Sequence, residues 1–246
     1  MAVAQFRFNR PMRNPIIVAL DVPAAQSALR LAAQLAPVAG GFKVGSALFT
    51  SAGPDIVRRL RATGAAVFLD LKFHDIPNTV AQAAAAATSL DVQMFTIHTS
   101  GGLEMMQAAE AAAQQAARQS GRAAPLVLGV TVLTSLDTGQ LREIGCADNA
   151  ARQVERLAVL AVQAGLRGLV CSPREVAALR QRLPATVQLV TPGIRGGAGK
   201  ADDQKRTLTP KEALQAGANW LVIGRPICAA ENPRAAAEEI LNEIAA

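Results

Sequence analysis

The sequence predicts an α/β protein, a (β/α)8 (TIM) barrel built as a single domain. Three observations carry this. First, eight short apolar runs follow one another along the chain, each succeeded by a segment of helical periodicity. That alternation argues for parallel strands joined by crossover helices, and eight units favour a closed barrel over an open doubly wound sheet. Second, 246 residues is an ordinary length for one such barrel, and no linker or internal repeat divides the chain. Third, polar residues collect at the ends of the apolar runs, at Asp21, Lys43, Asp70, Lys72, Thr134, Arg195 and Arg225, where a barrel of this kind places its chemistry.

The elements follow in order. Residues 1–14 form an N-terminal extension with three Arg and no apolar stretch, so they read as neither a signal peptide nor an anchor. Residues 15–20 are wholly apolar and end at Asp21, the first strand. A helix at 24–36 carries Leu29, Leu31 and Leu35 and stops before Pro37. The second strand, 41–45, contains Lys43, which is unexpected in a buried strand unless it faces a site. A helix at 51–62 buries Ile56, Val57 and Leu60 and turns Arg58, Arg59 and Arg61 outward. The third strand runs through 65–69 into Asp70 and Lys72. Two residues apart, these share a face on a continuing strand. Asn78 is expected to cap the next helix, to about residue 90. A fourth strand occupies 93–98, and Gly101-Gly102 opens a helix to about 119. A fifth strand spans 124–131 and leads into a loop at 134–137. Then come a helix at 149–164, a strand at 168–171, a short helix at 174–182 and a strand at 187–190. The chain closes with a helix at 211–216, a strand at 220–223 ending in Gly224-Arg225-Pro226, and a helix at 231–245.

Composition narrows the function classes. Half of the residues are apolar, 3% are aromatic and none is Tyr, which suits Ala-rich helices around a barrel. The formal charge is +6, with 25 Lys and Arg against 19 Asp and Glu. The Arg are scattered over helices, which reads as a solvated basic surface that also attracts an anionic substrate. No dense basic run with interleaved aromatics supports a nucleic-acid groove. The Ala-rich stretch at 81–87 is flanked by polar residues and reads as a soluble helix, so no membrane partner is expected. Three Cys (Cys146, Cys171 and Cys228) form no C-x-x-C pair and read as reduced thiols of a cytoplasmic protein.

The densest chemistry lies in Asp70-Leu71-Lys72-Phe73-His74-Asp75-Ile76-Pro77-Asn78-Thr79. Two carboxylates and an ammonium crowd into six residues at a strand's end. Such charges are costly away from water unless each is paired. A lone D-x-K is usually a weak surface ion pair. Here a second lysine, Lys43, stands in a similar place one strand earlier. Two glycine-bearing loops add to this. Residues 193–200 superficially suggest a P-loop, but Ile194 stands where a glycine is required and Ala201 where Ser or Thr is required. The loop reads instead as a flexible turn or a closure over an anion. Gly224-Arg225 follows the eighth strand, where barrels often hold phosphate through backbone N–H groups, and Arg225 adds a charge-assisted fork.

The segment at 70–80 resembles the signature of the orotidine 5′-phosphate decarboxylase family. So do Ala19-Leu20-Asp21, Phe42-Lys43-Val44-Gly45, Val132-Leu133-Thr134-Ser135, Thr191-Pro192-Gly193-Ile194-Arg195, Asp202-Asp203-Gln204 and Val222-Ile223-Gly224-Arg225-Pro226. The resemblance runs in order from the first strand to the eighth. D-x-K-x-x-D alone is shared with sugar-phosphate decarboxylases and aldolases of the same suprafamily. Those relatives resemble one another in an acidic, metal-binding residue where this chain has Lys43.

The resemblance implies decarboxylation of orotidine 5′-monophosphate to UMP, with no metal and no organic cofactor. It implies that Lys72 stabilises charge at C6 and delivers the replacing proton, with Asp70 beside the departing carboxylate. Lys43, Asp70, Lys72 and Asp75 would form an alternating charge array. Asp75 and Thr79 would reach into a neighbouring subunit's site, which makes the active unit a homodimer. Asp21, Lys43 and the neighbouring subunit's Asp75 suit the ribose hydroxyls, and Thr134, with Ser135 as the alternative, suits the pyrimidine edge. Arg195, Gln204, Gly224 and Arg225 suit the phosphate. His74 and His98 read as structural, since the chemistry needs a cation that stays charged and His is mostly neutral at pH 7. Two other readings stand beside this one: a metal-dependent sugar-phosphate lyase of the same fold, and a non-catalytic barrel that binds phosphate or nucleic acid.

Overall fold

The computed structural model describes residue 12 and residues 14–146, 149–194 and 208–245. Eight parallel strands close in sequence order into a barrel. They are β1 (Ile16–Ala19), β2 (Gly41–Gly45), β3 (Val67–Phe73), β4 (Met94–His98), β5 (Leu126–Val130), β6 (Gly168–Val170), β7 (Gln188–Thr191) and β8 (Trp220–Ile223). The ring closes where β8 pairs with β1 at Val222↔Ile17. Around it lie α1 (Ala25–Leu35), α2 (Ser46–Ala52), α3 (Asp55–Ala62), α4 (Pro77–Ser89), α5 (Gly102–Gln119), α6 (Thr138–Glu143), α7 (Ala150–Gln163), α8 (Val176–Arg182), α9 (Pro210–Gln215), α10 (Arg225–Cys228) and α11 (Pro233–Ala245). Among the described residues no helix is long and apolar enough to cross a membrane.

Strand alternation splits the core in two. Ile16, Val18, Leu20, Phe42, Val44, Leu69, Phe95 and Ile97 pack outward with the helices. Ile17, Ala19, Phe68, Met94, Leu126, Leu128, Val190 and Val222 fill the barrel interior, with Met12 and Trp220 packed against them. Successive side chains on a strand face opposite sides. The residues two beyond the interior set therefore also face inward: Asp21 after Ala19, Asp70 after Phe68, Thr96 after Met94. Lys43, between the outward Phe42 and Val44, points the same way. An apolar interior thus carries a polar mouth at the strands' C-terminal ends.

Several expectations are corrected in detail. The helix expected at 51–62 is two helices, α2 and α3. Gly53 adopts φ +64°, and the following Pro54 lacks an N–H and disfavours a helical residue before it. Asn78 does not cap α4. Pro77 is the first helical residue, and Ile76 stands at the cap without a side-chain bond, since proline needs no donor satisfied there. Helix α6, absent from the sequence reading, is held by a capping box in which Asp137 accepts from the Gln140 amide at 3.1 Å and Gln140 Oε1 accepts from the Asp137 amide. The loop expected after β8 is short, because Arg225 already opens α10.

The N-terminal strand is tied in by Asn14, whose Nδ2 donates to the Val38 carbonyl at 2.8 Å and whose Oδ1 accepts from the Ile16 amide at 3.0 Å. Gly40 makes this approach possible, because a Cβ there would lie 2.1 Å from the Asn14 carbonyl oxygen. Gly40→Ala is therefore expected to destabilise the protein by about 1–3 kcal/mol through overpacking against backbone. A urea midpoint equal to that of the unmodified chain would contradict this packing account.

Candidate active site

The mouth of the barrel holds a chain of alternating charges. Lys43 Nζ lies 3.0 Å from Asp21 Oδ1 and 3.6 Å from Asp70 Oδ2, and Lys72 Nζ lies 2.8 Å from Asp70 Oδ1. The array runs Asp21–Lys43–Asp70–Lys72. Exposure is graded along it. The side chains of Lys43 and Asp70 are 11% and 14% exposed, while those of Lys72 and Asp21 are 34% and 62% exposed. Two buried opposite charges therefore sit at the centre, and each end reaches toward water.

Asp70 is the pivot. Burial pushes its carboxyl up, but the ammonium groups of Lys43 and Lys72, with hydrogen bonds from Lys72 and Thr96, outweigh burial and hold it below the usual carboxylate range. Thr96 was not singled out in the sequence. Its hydroxyl donates to Asp70 Oδ1 at 3.0 Å and accepts from the Lys72 amide at 2.9 Å. It thus orients the carboxylate of one residue and the backbone of the other. The signal was present: a hydroxyl at the inward-facing position of the apolar run 93–98.

The backbone at this point departs from a regular strand. Lys72 adopts φ +53°, a left-handed conformation that costs a non-glycine residue about 1–2 kcal/mol. Register also slips. Leu69 pairs with Phe95 and Phe73 with Ile97, so four steps along β3 answer two along β4. The segment between is a bulge, a device often found beside active sites. It lets the Lys72 side chain return to the Asp70 carboxylate although simple strand alternation is interrupted. Gly45 leaves the room that the array needs. A Cβ there would lie 3.0 Å from Lys43 Nζ and 3.3 Å from Asp21 Oδ1.

The remaining candidates divide. Asp75 does not join the array. It is exposed, its Oδ1 accepts from the Ile76 amide at 2.7 Å, and among the described residues it has no ion pair within the chain. The bulge carries the chain out of the mouth before Asp75 is reached. Thr79 is exposed on the first turn of α4, and Thr134 is half-buried after β5. Gly224 lies beside Asp21, its absent Cβ 3.7 Å from Asp21 Oδ2, and Arg225 is exposed. Arg195 and Gln204 lie outside the described residues. Cys228 donates to the Ala19 carbonyl at 3.3 Å. Burial, with the Asp21 charge, pushes its thiol up to about 11, so it is no nucleophile at neutral pH.

Parallel strands whose C-terminal mouth fixes two ammonium groups on one shared carboxylate define an α/β-barrel enzyme equipped to hold negative charge on a substrate. Comparison with known proteins is specific. Residues 14–240 match the Orotidine 5'-phosphate decarboxylase / HUMPS family. Orotidine 5'-phosphate decarboxylase of Moorella thermoacetica is 51% identical over 94% of this chain and 92% of its own length. That of Pseudomonas syringae pv. syringae is 51% identical over 95% and 98%. The crystal structure of orotidine 5'-phosphate decarboxylase from Lactobacillus acidophilus superposes with a TM-score of 0.85 at 38% identity, over 95% of this chain and all of that one. The chain belongs to the Orotidine 5'-phosphate decarboxylase / HUMPS family. Within it, the chain is a carboxy-lyase.

The lowered Asp70 pKa has a consequence for stability. Its contribution is present above the unfolded carboxyl value of about 3.9 and is lost as the pH falls through the lower folded value. Asp70→Asn is expected to unfold at lower urea concentration than the parent chain at pH 7, with the difference shrinking at pH 3. A difference that stays constant between the two pH values would contradict the paired, ionised carboxylate.

Proposed function

We propose that the chain converts orotidine 5′-monophosphate to UMP and CO₂, the last step of de novo pyrimidine synthesis, without a metal or organic cofactor. Lys72 is the proton donor to C6. The observation that carries this reading is the alternating array, which ends on the half-exposed Lys72 ammonium held 2.8 Å from the ionised Asp70.

The chemistry asks for such an array. Loss of CO₂ from C6 leaves a carbanion in the ring plane with no π-system to receive the electron pair. Fixed cations must hold that charge in the transition state. Lys72 stabilises it and then transfers a proton to carbon, leaving a neutral amine beside Asp70. Asp70 lies beside the departing carboxylate and keeps Lys72 oriented. The place of Lys43 supports a metal-free reading, since its ammonium stands between Asp21 and Asp70, where a divalent ion shared by those carboxylates would have to sit.

The other residues are assigned by substrate part. Asp21 and Lys43 bind ribose hydroxyls, Thr134 the pyrimidine edge, and Arg225 with Gly224 the phosphate. Arg195 and Gln204 complete the phosphate contacts from the segment after β7, Gln204 bridging toward the base. Phosphate is remote from the breaking bond, so its binding energy can serve closure and raise the rate. Asp75 and Thr79 act in the site of a second subunit. Their exposure, with Ile76 between them 66% exposed, supports a homodimer through this face. The chain works as a single domain in the cytoplasm, with neither nucleic acid nor membrane as partner.

Turnover is followed as loss of orotidine 5′-monophosphate absorbance. It is expected to persist in EDTA and to fall by about a thousandfold or more in Lys72→Ala. Loss of activity on chelation would redirect the assignment to metal-dependent sugar phosphates, and full activity of the variant would remove Lys72 from its role. The shared site is tested by mixing Lys72→Ala with Asp75→Asn, each nearly inactive alone. Random re-pairing of subunits leaves about a quarter of the sites intact, and activity at that level is expected. No recovery from a mixture shown to contain mixed dimers would place Asp75 in its own subunit's site.

A further inference from the structure

The search outside the array returns to the two histidines. His98 ends β4 and His74 follows β3 directly after Phe73. Their ring centroids are 5.3 Å apart with the planes tilted by 40°. The His74 ring also lies over the backbone of the turn that precedes α5, since a Cβ on Gly101 would stand 3.2 Å from His74 Cδ2. His74 is exposed and lies against the His98 ring on one side and near Gly101 on the other. His98 lies two residues beyond Thr96 on the inward face of β4, and Thr96 is the residue that holds both the Lys72 amide and the Asp70 carboxylate.

We infer that the His74–His98 pair is a positioning clamp, two imidazoles in tilted contact that fasten the chain leaving Lys72 to the end of β4 and so fix where the Lys72 ammonium stands. The inference rests on the role proposed for Lys72. The geometry explains why a clamp is needed. Lys72 holds a left-handed backbone within a bulge that pairs poorly with β4. Strain of this kind persists only where the surroundings over-determine it. Thr96 restrains the residue from one side and the histidine contact restrains the chain two residues later.

The clamp works with His98 uncharged. The charged and titratable groups that act on His98 are His74, Lys72 and Asp70. Neighbouring β5, which pairs with β4 at His98↔Val130, carries no charged residue. Burial, then His74 and Lys72, lower the His98 pKa, and Asp70 opposes them weakly. His98 therefore stays neutral at pH 7 and takes a proton only in more acid solution. A proton there sets a new cation against Lys72 and disfavours the clamped arrangement.

The test uses the full chain with two readouts. In the unliganded protein, the imidazole titration of His98 is followed by NMR. Its midpoint is expected below the ordinary histidine value, rising in Lys72→Ala and in His74→Phe and falling in Asp70→Asn. In turnover with saturating orotidine 5′-monophosphate, His98→Ala is expected to lower kcat by about ten- to a hundredfold with KM little changed. His98→Phe, which keeps the ring but cannot titrate, should recover most of that loss and move the acid limb of kcat to lower pH. A His98 midpoint unmoved by Lys72→Ala, or a kcat of folded His98→Ala within about twofold of the parent, would overturn the clamp. Should the parent chain show no turnover, the substrate assignment fails, and the titrations, which need no substrate, decide the clamp on their own.

Discussion

A carboxylate in a nearly dry site, shared by two ammonium groups, is the interaction on which the mouth of this barrel depends. Asp70 is buried with Lys43 on one oxygen and Lys72 and Thr96 on the other. Lys43 would not be tolerated so far from water without it, and breaking a buried pair of this kind costs about 3–5 kcal/mol because the remaining charge is stranded. Such a pair is a poor source of net stability compared with an apolar replacement. Its presence is therefore better explained by what it holds in place. Ordering two cations beforehand means that little reorganisation is needed when negative charge develops on a substrate.

The barrel makes that ordering possible by simple alternation. The residues that fill its interior with Ile17, Ala19, Phe68 and Met94 share a face with those that build the site two positions further on. Stability and chemistry are thus read out along the same strands, the first at their middles and the second at their ends. Helices contribute by burying the other face, where Phe73 of β3 and Phe95 of β4 lie with ring centroids 6.0 Å apart. Small residues matter at the points of closest approach. Gly45 leaves space for the Lys43–Asp21 pair, a contribution made by the side chain it lacks.

Much of this was legible from the residues alone. Eight apolar runs are long-range evidence that does not depend on exact boundaries, so the closed barrel and its strand order could be read directly. Lys43 stood out because a charge inside a buried run must answer to something. What escaped was set by tertiary contact or by local turn chemistry. Thr96 looks like an ordinary strand residue until β3 is placed beside β4. Lys72 was placed on Asp70's face by assuming a regular strand, and the pairing is right although the backbone is not regular. The break at Gly53-Pro54 and the Asp137 capping box carry clear local signals that were outweighed by the apolar pattern around them. Asp75 was grouped with the array by family resemblance, by way of a second subunit, and within one chain it stands outside the array.

The bulge in β3 has a further consequence. It inserts two residues, an even number, so that Leu69 and Phe73 both remain on the outward face opposite Phe95 and Ile97. The barrel therefore registers the strand as though the intervening segment were absent. Reactive groups on that segment can be exchanged over evolutionary time without shifting the inside and outside of the scaffold. An insertion of odd length would instead turn Phe73, the last residue of β3, to the other face. The bulge thus lets the segment that carries Lys72 leave the regular strand while the frame on either side of it stays in register.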